Sequence, residues 1–173
     1  MEPIHTQRLR LIPADVSLLR AAVAGEAALA EALQATVRVS WTEFGHPAFR
    51  YARRKVEADP AAAGWWAWFP ILKEENALIG SGGYKGPPDE AGMVEIGYEI
   101  APAWRGRGLA TEMAAALIDR AFRDPRVRYV QAHTMAERNA SARVLEKCGL
   151  ERTEEIEVAG EGRIWRWRVH RNA

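Results

Sequence analysis

Residues 104–122 read WRGRGLATEMAAALIDRAF, a turn rich in glycine and arginine followed by a long helical pattern. The apolar positions of that pattern are Leu109, Met113, Ala116, Leu117 and Ala121. A helix N-terminus carries a partial positive charge, so Arg105 and Arg107 do not serve helix stability there. Glycine lets backbone approach a ligand, and the free N–H groups of a helix start bind anions such as phosphate. The turn is therefore an anion-binding candidate, with a loop carrying two solvated arginines as the alternative.

Two common nucleotide-binding patterns are absent from the sequence. Neither G-x-G-x-x-G nor G-x-x-x-x-G-K-S/T occurs. This disfavours nicotinamide cofactors and P-loop nucleotides as the anion.

Strands are expected on both sides of this helix. Residues 94–100 alternate polar and apolar residues, and residues 128–134 follow the helix, so we predict a parallel strand–helix–strand crossover. Further strands are predicted at 8–12, 65–73, 77–84, 156–158 and 163–169. Helices are predicted from Asp15 to Ala24, at 26–35, at 46–59 and from Asn139 to Cys148. The sheet is expected to be mixed.

Composition limits the function further. The 173 residues fit a single domain, with 48% hydrophobic and 27% charged residues and a net charge of +1. This near-neutral charge argues against a nucleic acid or acidic membrane partner. The single cysteine, Cys148, suits a reducing cytoplasm. The four histidines lie far apart in sequence, so we expect no metal site.

Three segments carry a resemblance to a known family. Residues 97–112, GYEIAPAWRGRGLATE, resemble the acetyl-coenzyme A (acetyl-CoA) signature R/Q-x-x-G-x-G/A of the GNAT superfamily of N-acetyltransferases. Residues 139–150, NASARVLEKCGL, are similar to that family's later motif N-x-S-x-x-V/L-x-x-K-x-G-F/L. The opening Thr6-x-Arg8-Leu9-x-Leu11 is similar to the RimJ/RimL-like branch, which acetylates N-termini of ribosomal proteins.

The resemblance implies a fold and an activity. The fold would be α/β (α+β), with a mixed, mostly antiparallel sheet of six to seven strands flanked by helices. Its parallel strands four and five, 94–100 and 128–134, would splay apart around the pantetheine arm. The enzyme would move acetyl from acetyl-CoA to a primary amine, first a protein N-terminal α-amine and otherwise a small-molecule amine. A non-catalytic coenzyme A-binding regulator is the alternative. The family often dimerises through its last strands, where Trp165 and Trp167 would lie.

The resemblance also assigns site residues. The pyrophosphate would bind backbone N–H groups of Arg105, Gly106, Arg107, Gly108, Leu109, Ala110 and Thr111. The arm and the acetyl carbonyl would bind the backbone of Tyr98, Glu99, Ile100 and Ala101, and also Asn139.

Catalytic candidates follow from the chemistry of amines. An amine is mostly protonated at neutral pH, so a base must remove a proton before attack. Glu95 and Glu99 share one strand face with Gly97 between them, and the family often places its base on this strand. Glu95 matches that position slightly better, although both could be solvated carboxylates. Ser141 is the candidate acid, or else a helix cap, because no tyrosine follows it along the helix.

Two aromatic segments remain. Strand alternation predicts Trp66 and Trp68 on one face and Trp65 on the other, with some of these rings in the core and others in an acceptor pocket. Residues 163–171 interleave arginine and aromatic residues, which is more typical of a terminal strand with an arginine face than of a nucleic acid surface.

Overall fold

The computed structural model describes residues 1–160 and 162–171. The strands are β1 (Ile4–His5), β2 (Leu9–Pro13), β3 (Ala67–Leu72), β4 (Ala77–Leu78), β5 (Gly80–Tyr84), β6 (Met93–Ile100), β7 (Tyr129–Met135), β8 (Glu151–Val158) and β9 (Gly162–His170). The α-helices are α1 (Val16–Ala24), α2 (Glu26–Leu33), α3 (Gly45–Ala58), α4 (Leu109–Phe122) and α5 (Ala140–Lys147). Short 3₁₀ helices cover Pro60–Trp65 and Pro102–Trp104.

The strands form one mixed sheet in the order β1-β2-β3-β5-β6-β7-β9-β8, with β4 pairing β3. β6 and β7 are parallel and the other described pairs are antiparallel. The predicted fold class and the parallel crossover through α4 are therefore confirmed. The sheet has nine strands, more than the six to seven expected.

The additional strands have simple physical origins. β1 is a two-residue strand that pairs with β2 before the predicted first strand. The predicted strand 77–84 is split at Ile79: residues 77–78 pair with β3, and Gly80 begins the strand that pairs with β6. A Cβ at Gly80 would lie 2.1 Å from the carbonyl oxygen of Glu99, so only glycine allows this approach. Local sequence patterns do not reveal such a close approach between two strand backbones.

Helices cover both faces of the sheet and form two apolar cores. One core lies between the sheet and α4 and includes Val94, Ile96 and Leu117. The other lies against α1 and α3 and includes Leu19 and Phe69. β6 therefore has one face towards α4 and the other towards α3.

The predicted shared face of Trp66 and Trp68 was wrong, and the two tryptophans of β9 make contacts within the chain. Trp68 joins the core beside α4, whereas Trp66 packs with the core beside α3, so the two rings do not share a face. Trp66 precedes β3 in a non-extended conformation, so strand alternation does not apply to it. In β9, Trp167 is buried and Trp165 lies under the guanidinium of Arg152. Intramolecular contacts thus cover part of the aromatic face that was expected at a dimer interface.

Candidate functional site

The glycine–arginine turn has the backbone shape of an anion cradle. Gly106 and Gly108 have φ values of 76° and 75°, a left-handed conformation that glycine adopts without strain. Gly108 directly precedes α4, and no side chain caps the helix. In the described part of the chain, the backbone N–H groups of residues 106–111 have no hydrogen-bond acceptor. Such free donors at a helix start fit a pyrophosphate.

The arginine side chains of this turn are already paired. Arg105 donates to the carbonyl oxygen of Ile100 at 2.8 Å and forms an ion pair with Glu43. Arg107 forms ion pairs with Glu74 and Glu75 at 2.6 and 3.2 Å. The two arginines are therefore not free positive charges at the helix end. Their carboxylate partners offset that charge, so the backbone supplies the cradle.

The N-terminal segment holds the first turn of α4 in place. Glu112 accepts hydrogen bonds from the Thr6 hydroxyl at 2.6 Å and from the Arg8 backbone N–H and Nε, both at 2.7 Å. Arg8 also donates to the Arg107 carbonyl oxygen at 2.8 Å. Burial raises the pKa of Glu112, but hydrogen bonds from Thr6 and Arg8 outweigh it and the pKa lies below its usual value. The opening Thr6-x-Arg8 motif therefore fixes the cradle from a distant part of the chain.

β6 and β7 separate beyond the cradle. Parallel pairing runs from Met93–Tyr129 to Glu95–Gln131 and ends there in the described chain. Beyond that point β6 pairs only with β5, and β7 only with β9. The predicted splay is therefore present. It leaves one edge of residues 96–100 without a strand partner.

A cleft of about 440 Å³ joins the cradle to this splay. The predicted cofactor residues that line it are Tyr98, Glu99, Ile100, Arg105, Gly106, Gly108, Leu109, Ala110 and Thr111. Ala101, Arg107 and Asn139 are not among its lining residues. The Asn139 oxygen accepts from the Ala142 N–H at 2.9 Å and thereby caps α5. We name this space the cofactor cleft.

Two cations in the cofactor cleft were not singled out from the sequence. Arg143 and Lys147 line it from α5, where they lie one helical turn apart. No ion pair of either side chain occurs within the described residues. The signal that reveals them is their i, i+4 spacing in the helix after Asn139.

Ser141 pairs with a tyrosine that reaches it from the sheet. The hydroxyls of Tyr98 and Ser141 lie 3.1 Å apart in the cofactor cleft. Burial raises the pKa of Tyr98 to about 12, so its hydroxyl keeps its proton at neutral pH. No tyrosine follows Ser141 along α5, and the tyrosine beside Ser141 belongs instead to β6, which is distant in sequence.

Glu99 is buried where the chain before α3 meets β6. It is 9% exposed and accepts hydrogen bonds from the hydroxyls of Thr42 and Ser81 and from the N–H groups of Glu43 and Phe44. The Ser81 contact is 2.7 Å long. This carboxylate therefore fixes residues 42–44 against the sheet.

Glu95 lies in a separate polar network on the same strand face. It accepts from Gln131 Nε2 at 3.3 Å and contacts His133 Nδ1 at 3.0 Å and the Lys85 ammonium. Arg166 donates to His133 Nε2, so the ring proton lies on Nδ1 and is donated to Glu95. Burial raises the pKa of Glu95, but the hydrogen bonds from Lys85 and His133 bring it below its usual value. His133 was treated as an isolated histidine because its partners are distant in sequence.

A second cleft, of about 570 Å³, lies on the α3 side of β5 and β6. Ser81, Gly97 and Phe44 are among its lining residues, and Phe44 also lines the cofactor cleft. We name this space the acceptor cleft. The two clefts therefore share Phe44 as a wall, and Ser81 of the acceptor cleft is bonded to Glu99 of the cofactor cleft.

Comparison with known proteins agrees with this geometry. The acetyltransferase (GNAT) domain family matches residues 8–151. The chain belongs to the GNAT acetyltransferase family. It is an acetyl-transfer enzyme, and GNAT enzymes use acetyl-CoA as the acetyl donor.

Individual relatives show the range of this family. The chain is 29% identical to the uncharacterized N-acetyltransferase YjdG of Bacillus subtilis (strain 168), over 84% of this chain and 88% of that protein. A Salmonella typhimurium acetyltransferase that modifies the N-terminal serine of ribosomal protein L7/L12 superposes with a TM-score of 0.70 at 15% identity, covering 99% and 100% of the chains. The aminoglycoside acetyltransferase AAC(6')-Ib in complex with coenzyme A has a TM-score of 0.64 at 17% identity, covering 94% and 95%. These two likenesses establish the GNAT fold and leave the acceptor open.

The described residues contain neither a membrane-spanning helix nor a clustered set of metal ligands. No helix in residues 1–160 and 162–171 has the length and apolarity needed to cross a membrane. Over the same ranges, no group of three or more His, Cys, Asp or Glu residues is placed to hold a metal ion.

Proposed function

We propose that this GNAT enzyme acetylates a primary amine by direct attack of the amine within a ternary complex. The observation that carries the proposal is that Phe44 lines both the cofactor cleft and the acceptor cleft, so that the two spaces are neighbours beside β6. Direct transfer requires both reactants at one point, and holding them together lowers the entropic part of the barrier. The first candidate acceptor is a protein N-terminal α-amine, as named for the Salmonella structure. A small-molecule amine is the second, because the acceptor cleft is large enough to hold one.

The cofactor cleft fits acetyl-CoA in its donors and its charge. The free N–H groups of residues 106–111 would hold the pyrophosphate. Arg143 and Lys147 add positive charge for the remaining phosphate. The open edge of β6 at residues 96–100 offers backbone groups to the pantetheine amides. When bound, acetyl-CoA supplies the thioester that the amine attacks.

We assign proton removal to Ser81 and Glu99. Ser81 is buried, lines the acceptor cleft and donates its hydroxyl hydrogen to Glu99 at 2.7 Å. An amine proton accepted by Ser81 Oγ would therefore be matched by transfer of the serine proton to Glu99. Glu95 is the alternative base. Its carboxylate is paired with the Lys85 ammonium and does not line the acceptor cleft.

We assign proton donation to the Tyr98–Ser141 pair. Ser141 Oγ lies in the cofactor cleft, and the Tyr98 hydroxyl remains protonated at neutral pH. The pair can give one proton to a thiolate in this cleft and recover it from water.

The test compares three variants of the base with one binding control. Glu99→Gln and Ser81→Ala are expected to lower kcat by roughly 100-fold or more and to change the pH–rate profile, because general base catalysis contributes on this scale. Glu95→Gln is expected to have the smaller effect. Calorimetric titration with acetyl-CoA should give an unchanged Kd for Ser81→Ala and Glu95→Gln, since neither residue lines the cofactor cleft.

Three other results would each contradict a different part of the proposal. If only Glu95→Gln alters the pH–rate profile, Glu95 is the base and the Ser81 route is wrong. If the wild-type protein binds acetyl-CoA but acetylates no amine, it is a coenzyme A-binding regulator. If it binds NADH or ATP in preference to acetyl-CoA, the assignment of the cradle fails.

A further inference from the structure

The acceptor cleft has aromatic walls on the α3 side. Its aromatic and small lining residues include Phe44, Ala48, Phe49, Tyr51, Trp66 and Gly97. Phe44 and Tyr51 are 53% and 49% exposed, which is high for aromatic side chains in a folded protein. Exposed aromatic rings gathered around a concave surface are typical of a binding site for an apolar group.

The floor of the cleft has space for a ligand side chain. Gly97 lies between Glu95 and Glu99 on β6, and all three residues face the α3 side by strand alternation. A Cβ placed on Gly97 would meet no atom within 4 Å. The strand that carries the catalytic groups is therefore open next to Glu99.

The charge of the cleft restricts the acceptor. Lys85 is the one residue with a charged side chain among the described lining residues, and its ammonium contacts Glu95. No carboxylate lines the cleft in the described part of the chain. An acceptor with several positive charges would lose water without gaining a counter-charge, which is costly. An acceptor with one amine and an apolar body avoids that cost.

We propose that the acceptor is a primary amine that carries an aromatic or bulky apolar side chain. This inference rests on the proposed function and adds the substrate class. The amine faces Ser81, whose hydroxyl is bonded to Glu99, and the apolar side chain lies over Gly97 between Phe44, Tyr51 and Trp66. Two sources have this chemistry: a free arylalkylamine, and a peptide whose first residue is aromatic.

The substrate test uses matched pairs of amines. Acetylation is followed as release of coenzyme A with phenethylamine and ethylamine, and with two heptapeptides that differ only in Phe or Ser at the N-terminus. Spermidine serves as the polycationic comparison. The aromatic member of a pair is expected to exceed the small member in kcat/KM by roughly tenfold or more. A preference within the free amines identifies a small-molecule source, and a preference within the peptides identifies a protein source.

Variants then locate the specificity in the cleft. Gly97→Val places two methyl groups on the open floor, where β-branched residues suit the strand. It should abolish the aromatic preference, measured as the ratio of kcat/KM for phenethylamine to kcat/KM for ethylamine. Ala48→Leu narrows the opposite wall on α3 and should act in the same direction. Ala58→Leu at the exposed end of the same helix is the matched control and should change nothing.

The outcomes separate this inference from the proposed function. Transfer to spermidine or to the small amines without aromatic preference overturns the inference and leaves acetyl transfer intact. An aromatic preference that persists in both Gly97→Val and Ala48→Leu also overturns it. Failure to bind acetyl-CoA would instead refute the proposed function. Quenching of tryptophan fluorescence by phenethylamine, measured on the protein saturated with coenzyme A, provides a readout independent of turnover.

Discussion

Gly108→Ala tests whether backbone geometry, and not arginine charge, binds the pyrophosphate. Gly108 has φ of 75°, where a Cβ costs about 1–2 kcal/mol. The Cβ itself would meet only the Arg8 guanidinium, at 3.5 Å, so the cost is conformational. Relief of this strain rotates the N–H groups that precede α4. Hydrogen bonds to charged groups contribute about 1.5–3 kcal/mol each, so one lost bond raises Kd for acetyl-CoA roughly 10- to 150-fold.

The matched control for this substitution is Gly160→Ala. Gly160 has φ of 84° in the turn between β8 and β9, and a Cβ added there would have no atom within 4 Å. Both variants should therefore lose similar stability in urea denaturation. Only Gly108→Ala should lose affinity for acetyl-CoA in calorimetric titration. Equal affinities in the two variants would refute the backbone cradle and return the binding role to Arg105 and Arg107.

Two further predictions concern charged groups around the cradle. Glu112→Gln should lower the free energy of unfolding at pH 7 by about 2 kcal/mol, because it weakens the hydrogen bonds from Thr6 and Arg8. The folded-state pKa of Glu112 is lowered, so its stabilisation is complete above the usual carboxyl pKa of about 4.3 and is lost as pH falls through the folded value. Denaturation curves of both proteins should thus converge at acid pH, and a constant gap would contradict this linkage. If the charges of Arg143 and Lys147 contact the phosphate outside the pyrophosphate, replacing either with alanine should weaken acetyl-CoA binding about fivefold. Binding of dephospho-coenzyme A, which lacks that phosphate, should weaken less. Equal losses for the two ligands would place these cations elsewhere.

The sequence predicts those parts of the site whose signals are local. The turn at Gly106 and Gly108 follows from backbone freedom, and the shared face of Glu95 and Glu99 follows from strand alternation. The partners of these groups could not be predicted. Glu112 and Thr6 are 106 residues apart, and no periodic pattern encodes such a contact.

The same limit applies to the positive charge expected from Arg105 and Arg107. Their residue type indicates positive charge, but the net field depends on Glu43, Glu74 and Glu75, which the fold brings beside them. The extra strands have a related origin, because the close approach of Gly80 to Glu99 depends on a neighbouring strand. Element types were therefore more predictable than the contacts between elements.

The division of roles along β6 follows from its geometry. Parallel pairing with β7 ends at Glu95, so the following residues of β6 have one edge without a strand partner in the described chain. Strand alternation then directs Tyr98 towards α4 and α5, and Gly97 and Glu99 towards α3. The proposed proton donor Tyr98 and the proposed proton acceptor Glu99 therefore lie on opposite faces of one strand, out of direct contact with each other. A one-residue shift of β6 would exchange these faces and place Tyr98 in the acceptor cleft. The register Ser81–Glu99 and Gly83–Gly97 with β5 is therefore a requirement of the proposed chemistry as well as of the fold.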